Sequence, residues 1–241
     1  MTILLLAGTA EARALSAQIE GAGLKLITSL AGATNRPLPH GGVLRQGGFG
    51  GAGGLTQFIR EAGITALIDA THPFASRISQ NAAIAAQAAQ IPFRQLVRAP
   101  WPTRPGWHVV PDLPAAAAAI PAGACALLAT GHRSAPAFAG RSDIRGLVRV
   151  IDAQPAPCPI PGGSWLVDPP PHDLDHEIAT LKTHRITTLV ARNSGGAAGC
   201  AKFDAADALG CATIVVAPPA LPPAQTLGSA QEALAWLQTP A

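Results

Sequence analysis

Short apolar runs alternate with longer amphipathic or alanine-rich stretches along the whole chain. Residues 2–7, 24–30 and 64–68 are apolar runs of strand length, the pattern of strands buried on both faces. Between the first two, residues 11–22 carry Leu15 and Ile19 at a spacing of four, which predicts a helix that Gly23 ends. A strand, a helix and a strand in this order predict a parallel sheet. Further helices are predicted at 55–62 and 75–90, and a strand at 91–97. The alternation then resumes. Strands are predicted at 107–110, 124–129, 147–151, 164–167, 187–191 and 213–216, and helices at 114–120, 173–184, 198–209 and 229–237. No repeat of solenoid period is present.

A proline-rich break at 98–102 interrupts the series and places a boundary near residue 98. The expected organisation is an N-terminal α/β domain, 1–98, and a C-terminal α/β domain, 99–241. Both are expected to be Rossmann-like, with parallel sheets flanked by helices. The run 113–131 approaches membrane-spanning length, but Pro114, Pro121 and Gly123 interrupt it. A short helix, a turn and a buried strand explain it better.

Composition narrows the function classes. The 241 residues include 25 Gly and 23 Pro, about one fifth of the chain and below the level of disordered sequences. A net charge of +3 suits an anionic small molecule and gives no support to nucleic-acid binding. Cys125, Cys158, Cys200 and Cys211 form no paired motif and read as reduced thiols, which points to the cytoplasm. No membrane segment is expected, and the oligomeric state is open, a monomer included.

The chemistry-bearing residues cluster where predicted strands end, the ligand-binding edge of open α/β sheets. Gly8, Thr9 and Ala10 form the first such turn. Their backbone N–H groups at a helix start can meet a phosphate, or the turn is simply tight. No G-x-G-x-x-G fingerprint is present. After the second strand there is no acidic residue to bind a ribose hydroxyl; Thr34 and Arg36 suit a 2′-phosphate instead. Residues 47–54 hold six glycines, for close ligand approach or as a flexible loop. Asp69-Ala70-Thr71-His72-Pro73-Phe74-Ala75 turns a buried strand into a helix. Pro73 is expected at the first helical position, with Thr71 or His72 as cap. Trp101 can stack on a planar ligand or pack. Thr130, Gly131 and Arg133 end another strand, with Arg133 a candidate for phosphate or carboxylate. Arg192, Asn193, Ser194, Gly195 and Gly196, with Lys202 early in the following helix, form a candidate anion site. His172 and His176 are spaced like metal ligands, but no third ligand is evident and no metal is assigned.

Taken together, these segments resemble the precorrin-6A reductase family of corrin biosynthesis. The resemblance rests on Leu6-Ala7-Gly8-Thr9-Ala10-Glu11, Ser29-Leu30-Ala31-Gly32, Gly47-Gly48-Phe49-Gly50-Gly51, the Asp69–Ala75 segment, Arg98-Ala99-Pro100-Trp101, Thr130-Gly131, and Asn193-Ser194-Gly195-Gly196 with Lys202. It implies a two-domain α/β enzyme that binds NADPH and reduces an anionic macrocyclic tetrapyrrole, with a ligand cleft between the domains. On that reading Gly8, Thr9, Ala10, Thr130, Gly131, Arg133, Asn193, Ser194, Gly195 and Gly196 bind cofactor. Arg13, Arg36, Thr71, Arg77, Arg192 and Lys202 bind substrate, and His72 is the catalytic candidate. The alternatives are an NADPH-dependent reductase of another anionic metabolite and a non-catalytic nucleotide-binding regulator.

Overall fold

The computed structural model describes residues 1–32, 38–196 and 199–239. In chain order the first part holds β1 (Thr2–Leu6), α1 (Ala10–Gly21), β2 (Lys25–Leu30), β3 (Val43–Gln46), α2 (Ala52–Glu61), β4 (Ala66–Asp69), α3 (Ser76–Ala89) and β5 (Phe93–Leu96). There follow β6 (Trp107–Val110), α4 (Leu113–Ala119), β7 (Cys125–Ala129), a 3-10 helix (His132–Phe138), β8 (Arg145–Val150) and β9 (Ser164–Val167). The chain ends with α5 (Leu174–Thr183), β10 (Thr188–Arg192), α6 (Ala201–Ala208), β11 (Ala212–Val216), β12 (Gln225–Leu227) and α7 (Ala230–Gln238).

Two six-stranded sheets form, ordered β12-β5-β4-β1-β2-β3 and β6-β11-β10-β7-β8-β9. Every strand pairing in them is parallel. Counted from β1 or from β7, each sheet runs third, second, first, fourth, fifth, then an edge strand, the strand order of dinucleotide-binding folds. The edge strands are exchanged. β6 follows β5 in the chain but pairs with β11, and β12 follows β11 but pairs with β5.

The exchange corrects the expected boundary. One compact unit is Met1–Ala99 with Pro219–Ala241, and the other is Pro100–Pro218. A cut near residue 98 leaves the last segment in the wrong domain. Leu227 lies in register with Leu96, and α7 adds Ala233 and Leu237 to the core that α1 covers.

In the first unit β1 is apolar and buried from Ile3 to Leu6 because helices cover both sheet faces. Ile3 and Leu5 pack with Leu15, Ile19 and Leu237 on one face. Leu4 and Leu6 pack with Leu55, Ile59 and Ala85 on the other. Each fully buried Leu or Ile contributes about 1.5–3 kcal/mol. In the second unit Leu127, Leu189 and Val215 carry the core against Leu181 and Phe203. Among the described residues no helix is long and apolar enough to cross a membrane; the 113–131 run divides into α4 and β7.

The glycine run has a packing role that its composition does not reveal. α2 begins at Ala52, so Gly53 and Gly54 are helical. A Cβ at Gly54 would stand 1.8 Å from the Phe49 carbonyl oxygen, whereas one at Gly53 would meet nothing within 4 Å. Gly54→Ala is therefore expected to cost about 1–3 kcal/mol through overpacking. Gly53→Ala is expected to be neutral or to stabilise by roughly 0.4–1 kcal/mol. Urea unfolding of the two variants side by side checks the contrast.

Candidate functional site

In folds with this strand order ligands bind at the carboxyl ends of the strands, where the order reverses. In the first unit that point lies between β1 and β4. β1 runs into Gly8 (φ 153) and Thr9, the N-cap of α1. Thr9 Oγ1 accepts from the Ala12 N–H at 3.1 Å and donates to the Ala70 carbonyl at 3.0 Å. One hydroxyl thus caps the helix and ties the turn after β1 to the turn after β4. The N–H groups of Ala10 and Glu11 open the helix, where no preceding carbonyl is placed to accept them. A Cβ at Gly8 would meet nothing within 4 Å, so this face of the turn is open to a ligand. Glu11 is paired with Arg98 at 3.4 Å, which places a cation beside the turn. The family-like Arg98-Ala99-Pro100-Trp101 segment contained this residue, but its sequence context suggested only a linker.

The Asp69–Ala75 segment is built differently from the expectation. α3 starts at Ser76, its N-cap is Ala75, and no side chain caps it. Pro73 lies ahead of the helix. Asp69 Oδ1 accepts from the Thr71 N–H at 3.0 Å and from Thr71 Oγ1 at 2.6 Å. His72 Nδ1 accepts from the Phe74 N–H at 3.2 Å. Each side chain closes a turn two residues on, as short polar groups do in loops, so the chain turns twice before the helix begins. Because Nδ1 accepts, the neutral imidazole carries its proton on Nε2. Arg13 is half-buried on α1, and Arg77 is exposed in the first turn of α3. Arg36, like Thr34, lies outside the described residues.

The strand register adds a residue that the sequence did not single out. Ser29, Leu6, Asp69 and Gln95 stand side by side on β2, β1, β4 and β5. Gln95 is 2% exposed, and among the described residues neither its amide nitrogen nor its amide oxygen has a hydrogen-bond partner. The only signal for it in the sequence was a polar residue ahead of Leu96-Val97 in a predicted strand. A buried unpaired amide costs about 1–3 kcal/mol. Gln95→Leu is expected to return a comparable amount, seen as a raised urea midpoint of the ligand-free protein.

In the second unit the order reverses between β7 and β10. β7 leads into buried Thr130 and Gly131 (φ 82), the N-cap of the 3-10 helix. The Ser134 hydroxyl shares hydrogen bonds of 2.6 Å with Thr130 Oγ1 and with the Gly131 carbonyl, which fixes the turn. A Cβ at Gly131 would meet nothing within 4 Å. Arg133 is exposed on the 3-10 helix.

Across the same point β10 ends at Arg192 and runs into Asn193, Ser194, Gly195 and Gly196. Asn193 differs from its expected role. Its Oδ1 accepts from the Trp101 N–H at 2.8 Å, and its Nδ2 donates to the Trp101 carbonyl at 2.8 Å. Its amide therefore clamps the chain at Trp101, and its part in any site is to hold that segment in place. Trp101 packs edge-on against Phe203 at 5.3 Å and donates from Nε1 to the Gly196 carbonyl at 2.8 Å. Lys202 Nζ donates to the Gly199 carbonyl and lies 5.6 Å from the Trp101 ring centroid. Burial pushes the Lys202 ammonium below its ordinary 10.5 and lowers the Arg192 guanidinium as well. Poorly hydrated cations beside a glycine turn suit a phosphate or carboxylate.

The sequence candidates thus fall into two groups, one at each reversal point. Gly8, Thr9, Ala10, Thr71 and His72 belong to the first unit, and Thr130, Gly131 and the 192–196 turn to the second.

Comparison with known proteins gives a consistent picture. A family model described as "Precorrin-6x reductase CbiJ/CobK" matches residues 2–238. A precorrin-6A reductase of Rhodococcus erythropolis is 41% identical over 98% of this chain and 97% of its own length. A cobalt-precorrin-6A reductase of Priestia megaterium is 30% identical over 90% of each chain. A solved structure, "CobK precorrin-6A reductase", superposes with a TM-score of 0.92 at 35% identity, covering 98% of this chain and 96% of its own.

Proposed function

The chain belongs to the precorrin-6x reductase family, a family of oxidoreductases, and from that premise we propose that it reduces precorrin-6A to its dihydro form, precorrin-6B, with NADPH. The observation that carries this reading is a family match running from residue 2 to residue 238, so that it spans both reversal points with their glycine turns.

The residues present fit a phosphorylated dinucleotide. Gly8 and Gly131 leave room for a ligand where a side chain would stand. Thr9, Ala10, Gly195 and Gly196 add backbone N–H groups, Ser194 adds its hydroxyl because its own N–H donates to the Arg192 carbonyl at 3.0 Å, and Arg133 adds an exposed charge. Residues 25–37 contain no carboxylate that would repel a 2′-phosphate. Bound NADPH supplies the hydride. The chain's own task is placement, which lowers a barrier by roughly 7–11 kcal/mol at best. No side-chain nucleophile is required. Arg13, Arg36, Arg77, Arg192 and Lys202 meet the carboxylates of the tetrapyrrole, and Thr71 orients it. One hydride and one proton complete the reduction; the proton comes from solvent, and the neutral His72 orients the substrate by donating a hydrogen bond from its Nε2–H. The free thiols Cys125, Cys158, Cys200 and Cys211 agree with a cytoplasmic enzyme.

The test is anaerobic turnover of purified precorrin-6A with NADPH and, separately, with NADH. The reading predicts NADPH oxidation and a product heavier by two hydrogens, with much weaker turnover on NADH. A parallel assay with the cobalt-containing macrocycle sets the metal preference of the substrate. Turnover only with an unrelated anionic metabolite, or cofactor binding with no turnover, contradicts it.

A further inference from the structure

The second unit carries a cluster outside the turns at the reversal point. Arg149 on β8 is buried, and its guanidinium donates to both oxygens of Glu177 on α5 at 2.8 Å each. The Arg149 Nε also lies 3.1 Å from Asp168 Oδ2, just beyond β9. This ion pair leaves Oδ1 for the histidines, and His176 Nε2 also lies 3.1 Å from Oδ2. Oδ1 lies 2.9 Å from His176 Nε2 and 3.3 Å from His172 Nε2. The three candidate donor atoms lie within 4.8 Å of one another. His176 is oriented by the start of α5, where its N–H donates to Asp173 Oδ1 at 2.8 Å. The two imidazoles were legible in the sequence; the third donor was not, because Asp168 precedes a proline-rich turn that folds it back onto them.

We infer that Asp168, His172 and His176 form a binding site for a divalent transition-metal ion, with zinc the best match. Two imidazole nitrogens and one carboxylate oxygen are borderline donors of the kind zinc takes, and three protein ligands leave a fourth position for water. Tetrahedral zinc with bonds of about 2.0–2.1 Å sets neighbouring donors roughly 3.3 Å apart, close to the separations at Asp168 Oδ1. Arg149 acts as the outer partner that orients the ligating carboxylate. Glu177 takes the two terminal nitrogens of Arg149 and leaves Nε toward Asp168. The ion would bridge these groups and pin the β9–α5 connection to the first turn of α5.

The test is zinc titration of the full-length protein, freed of metal by dialysis against a chelator, in competition with a chromophoric chelator. The site predicts one zinc per chain, a melting temperature raised by zinc, and at least about a hundredfold weaker binding in both His176→Ala and His172→Ala. His176 is exposed, and its replacement is expected to leave the fold intact. Circular dichroism checks this, and His176→Gln serves as a second variant. Cobalt(II) reports the same ligands through its visible spectrum, which should be lost in the variants. No saturable uptake by the parent protein, or stoichiometric uptake unchanged in both His→Ala variants, overturns the assignment.

Discussion

Glu177→Ala is expected to destabilise the protein by about 3–5 kcal/mol, the largest stability loss anticipated for a single side chain. Glu177 is 1% exposed, and both its oxygens are taken by Arg149. Removing the carboxylate leaves a buried guanidinium with only Asp168 to balance it. The loss reflects that stranded charge rather than the net worth of the pair. The double variant Arg149→Met, Glu177→Leu should therefore recover much of the stability. Asp143→Ala is the contrast. Its pair with Arg141 is at the surface, and the urea midpoint should hardly move. Urea unfolding of the four proteins checks the order. A Glu177→Ala protein as stable as its parent would mean that the ion pair does not hold α5 to the sheet.

Gly131→Val is expected to weaken NADPH binding by at least about a hundredfold, near 2.7 kcal/mol. The glycine has a φ of 82° and ends β7 at the reversal point, with open space where a side chain would project. Valine there strains the backbone by roughly 1–2 kcal/mol and fills the approach to the first N–H groups of the 3-10 helix. Gly123→Val separates the two effects. Gly123 has a φ of 76° and equally open surroundings but stands at the opposite end of β7. It should show the same strain with unchanged cofactor affinity. Equal affinity in Gly131→Val and its parent, by fluorescence or calorimetric titration, would remove the second-unit turn from the cofactor site.

The parts of the fold legible in the sequence are those encoded locally. β1, β4, β7, β10 and β11 are apolar on both faces, so their runs stand out, and the glycines that follow several of them mark the turns. β3 and β12 were not legible. Both are short edge strands with exposed polar residues, and β12 depends on pairing with β5, a strand much earlier in the chain. Missing it misplaced the domain boundary. The 3-10 helix was hidden by Pro136, which sits inside it. At the candidate site, the sequence identified the turns but not the duties of each side chain. Asn193 resembled a ligand group and proves to clamp Trp101. Gly54 resembled loop freedom and proves to make room for a carbonyl. Gln95 and Asp168 gave no usable signal, because burial and register, not neighbours in sequence, give them their meaning.

The most direct test of the proposed chemistry is transfer of label. With NADPH carrying deuterium at the reactive C4 position, in ordinary water, the account predicts one deuterium in the reduced macrocycle and one hydrogen from solvent. A product free of deuterium with both faces of the C4 position labelled in turn would contradict direct hydride transfer.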